Sequence, residues 1–272
     1  MKFLIQTVNR EITIDFCFEL LRSIEFLKWK NQEVEYKTLE LDELANEVLS
    51  HPLVYNDWVP VGTLEFVEEY IKCYASPAKV MKPLNVPSVF VGKAESEYVL
   101  QGKVEDIYEK LQEKDLDVSP IYVKSMKTIK SSINGRYSNA LALLDLQLDS
   151  DEEIQVRKEL NILSEWRCFL YSNELVGCQW YSGDFLEFPK RSGVRALTDM
   201  WIGTRGHTEY GLTGTLDIAV TLDFNREGSS VSLVVLEAHE FYSCGLYGFS
   251  DYNKLPNMLN RAWNEVRFRM RN

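Results

Sequence analysis

Leu216-Asp-Ile-Ala-Val-Thr221 and, one turn later, Val234-Val-Leu-Glu-Ala-His-Glu240 are apolar runs that each enclose a carboxylate. Both have the length and β-branched content of core strands. An ionised carboxylate among such neighbours is costly unless it is paired, hydrogen-bonded or bound to a metal. The intervening Asp223-Phe-Asn-Arg-Glu-Gly228 supplies turn residues, so the two runs are expected to pair as an antiparallel hairpin. Side chains alternate along a strand, which predicts that Val235, Glu237 and His239 share one face. Asp217 and Glu237 would then both reach one cation, and the spacing points to a divalent-metal site.

The rest of the chain limits what such a site could serve. A net charge of −11 disfavours broad binding to nucleic acid or to an anionic membrane surface, both of which need clustered positive charge. No apolar run reaches the roughly 18–20 residues of a membrane span, and Met1–Val8 is too short and too soon broken by Asn9-Arg-Glu11 for a signal peptide. The five cysteines are scattered and lack close zinc-ligand spacing, so reduced thiols and a cytoplasmic location are expected. With three histidines in the whole chain, a His-rich zinc enzyme is disfavoured.

Upstream of the hairpin the pattern alternates. Residues 1–8 read as a strand, Glu11–Lys30 as an amphipathic helix with Phe16, Leu20, Leu21, Ile24 and Leu27 inward, and Val34–Leu39 as a second strand. Val59-Pro-Val-Gly-Thr63 reads as a short strand, after which Thr63 caps a helix over Leu64–Tyr74. Residues 1–75 are thus expected to form a small α/β domain, 76–87 with their three prolines a linker, and 88–272 a sheet-rich α+β domain. Within the last, Val104–Lys114 reads as a helix and Ile121-Tyr-Val-Lys124 as a strand. Trp166–Leu170 and Leu175–Trp180 flank Ser172-Asn-Glu174 as a hairpin, and Leu255–Arg269 is a closing helix. Residues 152–163 carry no clear periodicity.

Two further positions suggest chemistry. Lys124 ends its strand beside a loop rich in Lys, Ser and Asn, a setting suited to phosphate oxygens. Glu165-Trp-Arg-Cys-Phe169 puts Glu165, Arg167 and Phe169 on one strand face, where Arg167 could clamp a phosphate or carboxylate bidentately. Each residue also has a plain structural reading: a solvent-facing lysine, a local Glu165–Arg167 ion pair, a turn aspartate, an edge-strand glutamate, a packed histidine. No Walker phosphate loop is present.

Taken in order, the strand lysine, the E-x-R hairpin, the D-x-A strand and the E-x-H strand before an aromatic-glycine segment resemble the ATP-grasp superfamily. The closest likeness is to the clade named for two arginines and a lysine, found often in phages and bacteria. Trp58-Val-Pro-Val-Gly-Thr-Leu-Glu-Phe66, Ser164–Phe169 and Leu236–Tyr247 also carry it. The resemblance implies an ATP-grasp fold of two α+β lobes preceded by a small α/β domain. It also implies an ATP- and Mg²⁺-dependent carboxylate–amine ligase acting through an acyl phosphate on a peptide, protein or amino acid. A nucleotide-binding relative without turnover, or a phosphotransferase, is the alternative.

Residue by residue, the resemblance makes Lys124 and Arg167 the phosphate-contacting and catalytic cations. Val156, Arg157, Lys158 and Glu159 become the hinge beside adenine, with Lys82 as a candidate for an earlier lysine. Asp217, Glu237 and His239 become the metal-side residues, although the family usually has Asn where this chain has His239, and Mg²⁺ prefers oxygen donors. Arg195, Arg205 and Tyr247, the last within the segment 242–251, are the substrate-side candidates, with Arg191 beside them.

Overall fold

The computed structural model describes residues 1–81, 83–96, 98–113, 119–146, 148, 152–204, 211–225, 228–241 and 244–271, without the side chains of 223–225 and 228–229. Lys82, Arg205 and Tyr242 lie outside the described residues. The mixed α+β structure falls into two compact units, Met1–Met81 with Glu240–Asn272, and Lys82–His239.

The first unit opens with β1 (Lys2–Gln6), α1 (Asp15–Trp29), β2 (Glu35–Leu39), α2 (Leu41–Ser50), α3 (Pro52–Tyr55), β3 (Val59–Val61), α4 (Leu64–Lys72) and α5 (Pro77–Val80). Its strands form a parallel sheet in the order β2-β1-β3. A central parallel strand is covered on both faces, and Phe3, Leu4 and Ile5 of β1 are all fully buried. Pro60 lies on the edge strand β3, where a missing N–H is tolerated. Thr63 caps α4, its Oγ1 accepting from the Phe66 N–H at 3.4 Å.

The stripe that α1 buries differs from the expected one. Cys17, Leu20, Ser23, Ile24 and Leu27 face inward, while Phe16 and Leu21 are half-buried at its margins. The helix starts at Asp15 rather than Glu11, because Val8 and Glu11 pair in an isolated bridge first.

The second unit holds two antiparallel four-stranded sheets. β4 (Leu100–Gly102), α6 (Val104–Glu113), β5 (Ile121–Ser125), β6 (Gly135–Tyr137) and β7 (Ile154–Lys158) make one, in the order β4-β7-β5-β6. Ile107 and Leu111 of α6 pack with Ile121, Val123, Ile154 and Val156 beneath it. β7 occupies the segment that lacked a clear sequence pattern. β8 (Ile162–Tyr171), β9 (Glu174–Gly183), α7 (Arg191–Thr204), β10 (Gly214–Asn225) and β11 (Gly228–His239) make the other, in the order β11-β10-β8-β9. Val194, Leu197 and Trp201 of α7 cover Cys168, Leu216 and Ile218 on one face of that sheet. Its other face carries the site.

α8 (Leu255–Arg271) returns the chain to the first unit. Its stripe of Leu255, Met258, Leu259, Ala262, Trp263 and Val266 is buried, and Trp263 stands edge-on to Tyr70 with ring centroids 5.6 Å apart. This packing groups 240–272 with the first unit, a long-range association that no local pattern encodes. The three-proline stretch is structured as well: Val80 and Met81 are buried in one unit, Asn85 and Val86 in the other.

Two turns fix the registers that matter. Ser172 and Asn173 both take positive φ, 53° and 67°, so β8 and β9 are joined by a two-residue turn that follows the strand twist. At the far end of β9, Gly183 has φ +79°, and a Cβ there would lie 2.2 Å from the Leu163 carbonyl oxygen. The obstacle is backbone, which cannot swing aside. Gly183→Ala is therefore expected to cost more than about 2 kcal/mol, combining left-handed strain with the clash. Urea denaturation checks this; a cost under about 0.5 kcal/mol would contradict it.

Candidate active site

The site begins with a β-bulge. Along β10 and β11, Asp217 pairs with Glu237 and Ile218 with Val235, so Leu236 is an extra residue in β11. The bulge breaks the alternation expected of Val235, Glu237 and His239. Val235 joins the apolar core with Ile218 and Trp166, whereas Leu236 packs with Ala219 and Val234. Glu237 and His239 lie in register with Asp217 and Thr215. Arg167 of β8 pairs with Asp217 on its other side, so Arg167, Asp217 and Glu237 form one row across three strands.

The row is closed by ion pairs. Arg167 donates Nε to Asp217 Oδ1 at 2.8 Å and Nη2 to Oδ2 at 2.7 Å, a bidentate pair with both residues buried. Lys124 Nζ, from the other sheet, donates to Glu237 Oε2. His239 Nε2 lies 3.1 Å from Glu237 Oε1 and 3.5 Å from Asp217 Oδ2. The Tyr181 hydroxyl donates to Glu165 at 2.8 Å and stands 3.4 Å from Asp217 Oδ2. The Arg167 guanidinium is 5.7 Å from the centre of the Tyr181 ring.

These contacts set the charges. Burial pushes the Asp217 and Glu237 carboxyls upward, but Arg167 and His239 around the first, and His239 and Lys124 around the second, hold both below the usual carboxylate range. Burial lowers His239, yet the two carboxylates outweigh it and raise the imidazole to about 9. Burial, with Asp217 and Glu165 nearby, keeps the Tyr181 hydroxyl protonated. Arg157 is lowered by burial against the pull of Glu237, and donates Nη1 to the Val235 carbonyl at 3.2 Å. Four basic side chains, Lys124, Arg157, Arg167 and His239, thus stand among three acidic ones, Glu165, Asp217 and Glu237.

A cleft of about 330 Å³ opens beside this cluster, lined among others by Lys124, Arg157, Lys158, Glu159, Glu165 and Glu237. A smaller recess adjoins it, with Val86, Val99, Val156 and Leu236 as apolar walls and Gln155 and Arg157 as polar ones. Gln155 is locked, its amide exchanging hydrogen bonds with the Val86 N–H (2.9 Å) and carbonyl (2.8 Å). The recess itself has a volume of only about 10 Å³, room for a water rather than a ring, so what it offers is an apolar wall beside the positively charged cleft.

The structure brings together Lys124, Arg167, Asp217, Glu237 and His239, drawn from four strands, β5, β8, β10 and β11. Of the hinge residues, Val156, Arg157 and Lys158 belong to β7, and only Glu159 lies beyond it. The Glu159 carboxylate is held by Arg136 in a bidentate pair at 2.6 and 3.0 Å. Arg195 is on an exposed face of α7 and outside the cleft lining, and Arg191 is likewise exposed. Tyr247 lies in the first unit with φ 49°.

Sequence reasoning missed Tyr181 and the guanidinium of Arg157. Tyr181 is the extra residue of a second bulge, where Glu165 pairs with Ser182 and Trp166 with Trp180, so strand alternation gave no signal for it. It also missed the cross-strand pair Cys168–Cys178, whose sulfurs are 3.7 Å apart.

The donor set fits a divalent cation. One ligand atom each from Asp217, Glu237 and His239 lie within 4.8 Å of one another. Among the described residues, His239 Nε2 and Thr215 Oγ1 are buried polar atoms without a hydrogen-bond partner, and Thr215 is opposite His239 in the ladder. Nε2 faces both carboxylates at ion-pair distance, so a cation bound among the three would replace the imidazole's proton.

Residues 99–255, more than half of the chain, match the family model described as ATP-grasp domain, R2K clade family 2. A search of curated proteins finds no match. Among solved structures, a D-alanine–D-alanine ligase from Bacillus anthracis complexed with ATP is similar with TM-score 0.55 and 11% identity, over 98% of each chain. N5-carboxyaminoimidazole synthetase from Staphylococcus aureus is similar with TM-score 0.52 and 11% identity, over 96% of this chain and 77% of that one. D-cycloserine synthetase gives TM-score 0.50 and 10% identity, over 99% and 100%. At such identities the neighbours establish the fold, and the family match carries the assignment: this chain belongs to the ATP-grasp superfamily, in its R2K clade family 2.

Proposed function

We propose that the Lys82–His239 unit binds ATP in the cleft between its two sheets and joins a carboxylate to an amine through an acyl phosphate. The observation that carries this reading is the convergence of Lys124, Arg167, Asp217, Glu237 and His239 at the edge of one cation-rich cleft. The adenine lies in the cleft against the apolar wall of Val86, Val99 and Val156, whose small recess widens to admit its edge, with Lys158 and Glu159 at the approach. The triphosphate then runs toward Lys124 and Arg167.

Mg²⁺ bound by Asp217 and Glu237 would neutralise charge on the β- and γ-phosphates. Lys124 turns from Glu237 to a phosphoryl oxygen, exchanging one anionic partner for another. Arg167 remains braced by Asp217 and presents its outer edge to the transferred group. The substrate carboxylate displaces ADP from the γ-phosphorus, and the amine then displaces phosphate from the acyl carbon, losing a proton to give the amide. The acceleration comes from fixed charge and positioning rather than from a general base. The substrate is a free amino acid, a peptide or a protein.

Calorimetric titration with a non-hydrolysable ATP analogue and Mg²⁺ tests the reading. Saturable binding is expected in the wild type and is expected to weaken at least about tenfold in Glu237→Ala. Absence of binding, or binding indifferent to that substitution, would sink the proposal. Phosphate release on adding amino acids and dipeptides separates ligase turnover from nucleotide binding alone.

A further inference from the structure

The geometry points to His239 as a direct metal ligand, and we infer from it that the site takes a transition-series divalent cation, Mn²⁺, in preference to Mg²⁺. The inference rests on the ligase reading of this cleft only in placing a metal there; the choice of metal follows from the donor atoms.

About a third of the His239 side chain is exposed (32%), yet its Nε2 is closed off from solvent, and its neighbours there are two carboxylates. It points between the Asp217 and Glu237 carboxylates, 3.5 and 3.1 Å away. Without a metal this nitrogen pairs with the carboxylates as an imidazolium; a divalent cation seated among the three ligand atoms, which lie within 4.8 Å of one another, would take the place of that proton and make Nε2 a third donor. Thr215 Oγ1, opposite it in the ladder and unpartnered, leaves a second polar atom on the same patch of strand.

Two carboxylates and one imidazole form a mixed oxygen–nitrogen set. Mg²⁺ is small, demands oxygen and sheds water reluctantly, so a nitrogen in its shell is a poor exchange. Mn²⁺ accepts carboxylate and phosphate oxygens as readily and tolerates imidazole as well. Zn²⁺ and Cu²⁺ favour imidazole more strongly, but the two carboxylates and the phosphate-facing cleft dilute that preference.

Electron paramagnetic resonance with Mn²⁺ alone, then with the ATP analogue, is the test. Bound Mn²⁺ is expected to show nitrogen modulation in the pulsed spectrum, and Mg²⁺ is expected to displace it only in excess. In His239→Asn, which restores an oxygen donor, the nitrogen modulation should vanish. The Mn²⁺-over-Mg²⁺ ratio should fall by about tenfold or more, the cost of losing even an outer partner of a metal site. Equal competition in the wild type, modulation that persists in the variant, or no Mn²⁺ binding under either condition would overturn the inference. Circular dichroism of the variant confirms that it folds. Analogue binding in Mg²⁺ that survives while Mn²⁺ preference is absent would reject this inference and keep the ligase reading. Nitrogen-ligated Mn²⁺ without nucleotide binding would do the reverse.

Discussion

Arg167→Met is expected to destabilise the second unit by about 3–5 kcal/mol, as removal of one partner from a buried pair usually does. The loss comes less from the missing hydrogen bonds than from Asp217, which would remain charged and 1% exposed without its guanidinium. His239, 3.5 Å from the same carboxylate, compensates part of that, so the lower end of the range is favoured. Asp217→Leu should cost at least as much, since it strands a guanidinium that is itself 6% exposed. The double variant Arg167→Met/Asp217→Leu should recover most of the loss, because a well-packed apolar pair of similar volume avoids the desolvation of both charges. Urea denaturation followed by far-ultraviolet circular dichroism measures all three. Single variants costing under about 1 kcal/mol, or a double variant as unstable as the sum of the singles, would refute the pair's assigned role. With the expected outcome, the pair is a charge-bearing device retained for function at a cost in stability.

The parts of the site that are legible in the sequence are those where a charge violates its surroundings. Asp217 and Glu237 interrupt apolar strands, and Arg167 follows Glu165 by two, so each stands out from its neighbours in the chain alone. The fold class is legible for a related reason, since strand and helix periods alternate over 1–39 and 59–74, although the helices α2 and α3 between them go unread. What stays hidden depends on departures from period two or on contacts across long stretches of chain. The bulge at Leu236 turns Val235 into the core and leaves Glu237 and His239 facing Asp217 and Thr215. The bulge opposite Trp166 delivers Tyr181 to Glu165. Neither bulge has a glycine or proline to announce it. The grouping of α8 with the first unit follows from Trp263 meeting Tyr70, a contact no window of local sequence contains.

Lys124 separates catalysis from stability most cleanly. Its pair with Glu237 is partly open, with side chains 17% and 26% exposed, so the ion pair is worth at most about 1 kcal/mol to the fold. Glu237 also keeps His239 as a partner when the lysine is gone, which avoids the stranded charge that Arg167→Met creates. Lys124→Met should therefore melt near the wild type. Its effect on turnover should be far larger. Under the ligase reading Lys124 meets charge that develops during phosphoryl transfer, and losing one such preorganised donor costs about 10²–10³ in kcat. Lys124→Arg should recover only part of this, because a planar fork cannot replace a compact ammonium at a single phosphoryl oxygen. Phosphate release from ATP in a mixture of amino acids and dipeptides, with analogue affinity measured in parallel, makes the distinction. A lysine that only binds the ground state would raise KM and spare kcat. A lysine acting in the transition state lowers kcat with analogue affinity little changed. Turnover within about threefold of wild type in Lys124→Met would remove Lys124 from the catalytic machinery and leave it a strand-end cation paired with Glu237.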